Sequence, residues 1–183
     1  MATRRLRARL LMPPRVVLVG LPGTGKSTVG AELARRLQVA YADSDELIAR
    51  QTGRSVEEIF AHQGEPAFRQ LEADMIAEAL AGFDGVLALG GGAVTTDSVR
   101  RDLLASGVPV VLLTAAQDEL LSRLAGGRSR PLLAGDAPAR LAALAQAREP
   151  LYREVASLTV ATGGRSPAQV AAALHQQLAG QPT

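Results

Sequence analysis

Apolar residues fall along this chain in two alternating rhythms. Residues 16–19 (VVLV) and 86–89 (VLAL) are unbroken apolar runs, and 108–113 and 158–160 are nearly so. Runs of four to six, rich in β-branched residues, predict buried strands. A weaker run at 40–42 predicts one more, making five. Between them the spacing changes to three and four. Val29, Leu33 and Leu37 share one face of a helix predicted over 26–37. Ser55-Val-Glu-Glu58 is a capping box opening a short helix with Val56, Ile59 and Phe60. Pro66 suits the first turn of a longer helix running to about Leu80. Leu120, Leu121 and Leu124 mark another. Ser166 caps a last helix that starts at Pro167, carries Val170, Leu174 and Leu178 on one face, and ends before Gly180. Strands alternating with helices predict an α/β fold, a five-stranded parallel sheet in a three-layer α/β/α arrangement. In such sheets ligands bind beyond the carboxyl ends of the strands, so segments that follow strands are where chemistry is expected.

Composition narrows the chemistry. The 183 residues suffice for one domain with a sizeable core, and no repeat or linker divides them. There is no cysteine, which excludes disulfides, thiolate nucleophiles and cysteine-ligated metals. The two histidines, His62 and His175, are too few for a histidine metal site. No apolar run reaches the roughly 18 residues of a membrane span. Five arginines lie within residues 1–15, which hold no acid, so the net charge of +2 becomes −3 without them. The body is therefore slightly acidic, which argues against nucleic-acid binding. Residues 1–14 read as a disordered basic arm before a domain at 15–180. Met12 opens "MPPRVVLVG" and offers a second start for the reading frame. With no secretory or membrane segment, a cytoplasmic monomer is expected. Lys26 is the only lysine, against nineteen arginines. A lone lysine in so arginine-biased a chain marks a place where a compact ammonium is needed rather than a planar guanidinium.

The residues around it say what that place is. Gly20-Leu-Pro-Gly-Thr-Gly-Lys26-Ser27 matches G-x-x-x-x-G-K-[ST] in full, between a predicted strand and a predicted helix. Its backbone N–H groups, from Gly23, Thr24, Gly25, Lys26, Ser27 and Thr28, together with the helix N-terminus, would cradle phosphates. Lys26 would reach the β- and γ-phosphates and Ser27 would ligate Mg²⁺. That pattern specifies a nucleoside triphosphate but not a reaction. Asp43 and Asp45, at the end of the second strand, could hold a metal through water and accept a hydroxyl proton. Arg69, three residues from Glu72 on one helical face, could grip a carboxylate. Gly90-Gly91-Gly92 after the third strand permits close ligand approach. Gly126-Gly-Arg-Ser-Arg-Pro131 has the make-up of a lid, expected over about 125–137, that carries cations to a transferring phosphate.

In series these segments resemble shikimate kinase, from about Arg15 to Leu178. "GLPGTGKST", "DSD", "SVEEIFAHQGEPAFRQLE", "LGGG", "RPLL" and "REPLYRE" occur in the family's order. Ser44 stands where the family often has Thr. The resemblance implies a P-loop NTPase fold with a substrate-binding region at about 44–81, and transfer of the ATP γ-phosphate to the 3-hydroxyl of shikimate with Mg²⁺. It implies Asp43 as a water-mediated metal contact beside Ser27, Asp45 as the base holding the acceptor hydroxyl, and Arg130 as the lid arginine on the phosphates. Arg69 and Arg148, with Gly91 and Gly92, would bind the substrate carboxylate. Arg123, Arg165 and Pro167 match positions flanking adenine. One departure from many phosphate-loop NTPases is that no aspartate ends the third strand, so Asp43 must substitute.

The alternatives are another small kinase, acting on gluconate or a nucleoside monophosphate, and a nucleotide-binding relative without chemistry. Retention of Lys26, Asp45 and Arg130 speaks against the latter. A GTPase would need an Asn-Lys-x-Asp segment, and the only lysine lies elsewhere.

Overall fold

The computed structural model describes residues 12–126 and 136–180. Five strands, β1 (Val16–Val19), β2 (Ala40–Asp43), β3 (Gly85–Ala88), β4 (Val110–Thr114) and β5 (Leu158–Ala161), form one parallel sheet in the order β2-β3-β1-β4-β5. The helices are α1 (Lys26–Leu37), α2 (Ser44–Thr52), α3 (Val56–Gly82), α4 (Asp97–Ser106), α5 (Gln117–Ala125), α6 (Ala137–Val155) and α7 (Pro167–Ala179), with a 3₁₀ turn at Ala93–Thr95.

Alternation along β1 divides the core. Val16 and Leu18 face Val29 and Leu33 of α1 and Val170 and Leu174 of α7. Val17 and Val19 face Ile76 of α3, Val99 and Leu103 of α4, and Tyr152 of α6. This is the two-sided coverage that a buried parallel sheet requires. A smaller cluster, Ile48, Ile59 and Phe68, locks α2 to α3 beyond the strand ends. The chain turns back at β1, whose neighbours are β3 on one side and β4 on the other, so its carboxyl end opens at the switch point where ligands bind.

All five strands occur where the apolar runs place them, with shifts of one or two residues. β4 starts at Val110 because Pro109 has no N–H to donate, although its carbonyl accepts from Val17. The two helices expected over residues 55–80 run together as α3 across a kink at Gly64, whose φ is 78°, with Pro66 just past the break. The capping boxes at Ser55 and Ser166 are both formed. Two helices were not foreseen, α2 and α4, which bury only one or two large apolar residues each, and the alanine-rich α6 was expected only as a helical stretch around Arg148. Among the described residues no helix is long and apolar enough to cross a membrane.

Candidate active site

Gly23 and Gly25 adopt φ of 85° and 91°, the left-handed region in which only glycine is unstrained, and so curl the loop after β1. Thr24 is buried and its hydroxyl donates to the Leu21 carbonyl at 2.8 Å. α1 starts at Lys26 without a side-chain cap, leaving its first N–H groups free to meet an anion. The Lys26 ammonium folds back onto the loop and donates to the carbonyls of Gly20 (2.8 Å) and Leu21 (3.0 Å). Burial lowers its pKa to about 8, against the opposing pull of Asp43 and Asp45. Ser27 and Thr28 are exposed at the helix start.

Asp43 pairs with Ala88 in the sheet register, so its carboxyl lies beside the end of β3. That is the place where other phosphate loops use an acid on the third strand. It is also the N-cap of α2, accepting from the Asp45 N–H at 2.9 Å. Burial raises the pKa of Asp43, and burial with the neighbouring Asp43 charge raises that of Asp45 to about 6. Ser44, between them, is fully buried, and its hydroxyl accepts the Gly90 N–H at 2.9 Å, tying the end of β2 to the loop after β3.

That glycine loop is where the predicted residues converge. A Cβ on Gly90 would lie 2.7 Å from Asp45 Oδ1 and 2.9 Å from Glu72 Oε1. One on Gly91 would lie 3.2 Å from Pro22 Cδ of the phosphate loop, and one on Gly92 would run into the Arg69 guanidinium. Three side-chain-free positions thus let an acid pair, the phosphate loop and an arginine crowd one backbone turn. Arg69 is itself held by Glu72 (2.6 Å) and Glu65 (3.2 Å) and rests over the Phe68 ring at 5.3 Å. Phe68 packs at 4.7 Å between ring centres on Phe60. Arg148, on α6, is half-buried, and its charge acts on Lys26, Glu72 and Tyr152.

On the other side of the phosphate loop, Arg123 donates to the carbonyls of Gly23 (3.2 Å) and Thr162 (3.2 Å), and to Thr162 Oγ1 (3.0 Å). With Arg165, Pro167, Gly25 and Thr28 it lines a separate cleft. Arg130 and most of the expected lid lie outside the described residues.

Three residues here escaped the sequence reading as site elements. Glu72 is only 1% exposed, its Oε1 has no partner among the described residues, and burial lifts its pKa to about 7 against the influence of Arg69. An available signal was its place between Phe68 and Ile76, an acid inside an apolar stripe at helical spacing. Ser44 gave no signal, because its role depends on which strand lies beside β2. Tyr152, whose hydroxyl donates to the Gly91 carbonyl, was visible only as part of "REPLYRE".

A phosphate loop at the switch point of a five-stranded parallel sheet, facing acids and an arginine gathered on a glycine turn, defines a small P-loop kinase. The family model for shikimate kinase matches residues 22–179. A shikimate kinase of Mycobacterium tuberculosis is 49% identical over 160 residues, covering 87% of this chain and 90% of that protein. The structure of an Acinetobacter baumannii shikimate kinase in complex with shikimate superposes with a TM-score of 0.84 at 37% identity, covering 94% of this chain and 96% of the other. The chain belongs to the shikimate kinase family. A gluconokinase from Sinorhizobium meliloti also superposes, with a TM-score of 0.65 over 92% of this chain and 93% of its own, but at 21% identity that likeness carries the fold alone.

Proposed function

We propose that this protein transfers the γ-phosphate of ATP to the 3-hydroxyl of shikimate, giving shikimate 3-phosphate and ADP. The observation that carries this reading is the convergence on Gly90–Gly92. Asp45, Arg69 and the phosphate loop each approach a different glycine of one turn, so an acceptor seated there meets a base, a carboxylate grip and a nucleotide together.

Asp45 takes the proton of the attacking hydroxyl, and it is ionised for that role above about pH 6. Arg69 and Arg148 hold the acceptor carboxylate, and the Gly91–Gly92 backbone supports it. The acceptor's remote charge thereby fixes its reacting oxygen in line. Lys26 exchanges its two loop carbonyls for phosphate oxygens, and its pKa rises again as negative charge arrives. Arg123, Arg165 and Pro167 border the base of the nucleotide, and Arg130 adds a cation at the phosphates.

Mg²⁺ fits the residues present. Ser27 and Asp43 are hard oxygen donors, and among the described residues no group of three acidic or histidine side chains gathers to hold an ion without help. Such a pair suits an ion arriving with the nucleotide, where it would offset the charge of the transferring phosphoryl group.

The test is ADP release from purified protein with ATP and Mg²⁺, adding shikimate, gluconate or AMP in turn. Release dependent on shikimate alone is expected. Stimulation by another acceptor would overturn the substrate, and ATP binding without stimulation by any of them would overturn the catalytic reading.

A further inference from the structure

We infer that Tyr152 is a positioning residue of the acceptor site, its phenol holding the Gly91 carbonyl so that the Gly92 N–H is presented to the acceptor carboxylate. This rests on the reading above that Arg69, Arg148 and the glycine turn receive that carboxylate.

Tyr152 is 2% exposed and lies on α6 one helical turn beyond Arg148. Its ring is buried in the same core layer as Leu87, Leu89 and Val94, so the phenol has little freedom to wander. The hydroxyl reaches out of that apolar layer and donates to the carbonyl of Gly91, 61 residues away. A trans peptide sets its C=O and N–H in opposite directions. Fixing the Gly91 carbonyl toward α6 therefore turns the N–H of the same peptide, that of Gly92, away from α6. Ala93 N–H is spent on the Gly90 carbonyl, and Thr95 N–H on that of Gly92. The Gly92 N–H has no partner among the described residues. It sits where the Arg69 guanidinium crowds the same glycine. With no side chain at 91 or 92 to bias the peptide, nothing local prevents it from flipping, and the carbonyl would then meet an anionic ligand. The phenol removes that freedom. Arg148 lies near enough for its charge to act on the phenol, so one face of α6 supplies both the cation and the strut that orients the opposing N–H.

α6 is tied to this loop a second time. Arg100 of α4 donates to the Val94 carbonyl at 2.8 Å and to Glu154 at 3.0 Å. That second tie makes a control that touches neither the glycine peptide nor Arg148.

Tyr152→Phe keeps the ring and removes only the donor. The expected result is a KM for shikimate raised about tenfold, the worth of one oriented hydrogen bond to a charged ligand. KM for ATP should stay within about twofold, which also certifies that the variant is folded. Glu154→Gln should leave KM for shikimate within about twofold. An unchanged KM for shikimate in Tyr152→Phe would overturn the inference. So would a parallel rise in both KM values, or a Glu154→Gln effect as large, since either would mark general loosening of α6. Arg148→Ala separates the two levels. If it raises KM for shikimate while Tyr152→Phe does not, the inference fails and the acceptor site stands. If Arg148→Ala has no effect either, the acceptor-site reading fails with it.

Discussion

Glu72→Gln isolates one buried charge with almost no change of shape. The Glu72 carboxyl is 1% exposed, with one oxygen 2.6 Å from Arg69 and the other unpartnered among the described residues. Burial outweighs Arg69 and lifts its pKa from 4.5 to about 7. A carboxyl whose folded pKa is raised contributes stability below its unfolded pKa and loses it as pH climbs through the folded value. The loss therefore starts near pH 4.5 and is complete somewhat above pH 7. Between about pH 5.5 and about pH 8 the shift costs on the order of 2 kcal/mol. For a chain of this size that is roughly 4–8 °C in the melting temperature. The assay is thermal unfolding of the free wild type and of Glu72→Gln at those two pH values and one ionic strength. All other titrating groups are shared, so they cancel in the comparison. The wild type should lose roughly 4–8 °C more than the variant on going to the higher pH. Equal pH slopes in the two proteins would refute the reasoning, because Glu72 would then ionise in the folded state as it does in the unfolded chain.

Asp45→Asn should abolish most turnover while ATP binding, measured by calorimetry, is retained. In the wild type the rate should fall about tenfold per unit below the Asp45 pKa of about 6, and a flat acidic limb would remove Asp45 as base. Gly92→Ala should raise KM for shikimate with little change for ATP, since the new methyl displaces the Arg69 guanidinium and leaves the phosphate loop alone. Ser44→Ala strands the Gly90 N–H and should cost about 1–3 kcal/mol by denaturant unfolding, while Ser44→Thr should keep the bond and most of the stability.

The sheet was legible because its signal is local. Residues 16–19 and 86–89 are apolar on both faces, and only a strand covered on both sides needs that. The phosphate loop was legible for the same reason, since its glycines, lysine and serine are contiguous. The extent of α6 was not, beyond a helical stretch around Arg148, because its burial rests on Leu141, Tyr152 and Val155, too widely spaced to stand out in an alanine-rich stretch. The acceptor site lies between these cases. Asp45, Arg69 and Arg148 could be chosen by residue type and resemblance, but they are far apart in the chain. What joins them is the strand order, which sets β3 between β2 and β1 and so brings one glycine turn against all three segments. Ser44 and Tyr152 act on that turn through bonds spanning 46 and 61 residues, and no window on the sequence contains both ends.

The same convergence explains why the site is built at a cost to the fold. Two carboxyls, Asp45 and Glu72, are held where burial raises their pKa values, and the Lys26 ammonium is held where burial lowers its own. Each charge is thus poorer in solvation than in water, and each is only partly compensated by its neighbours. On the proposed reading, a polyanionic nucleotide would compensate Lys26, and an acceptor hydroxyl donating to Asp45 would compensate that carboxylate. Ligands that supply such partners to the folded state alone stabilise it by mass action. The free protein should accordingly gain more from ATP and acceptor together near pH 7, where Asp45 is ionised and Lys26 still carries its charge, than near pH 5, where Asp45 is largely neutral.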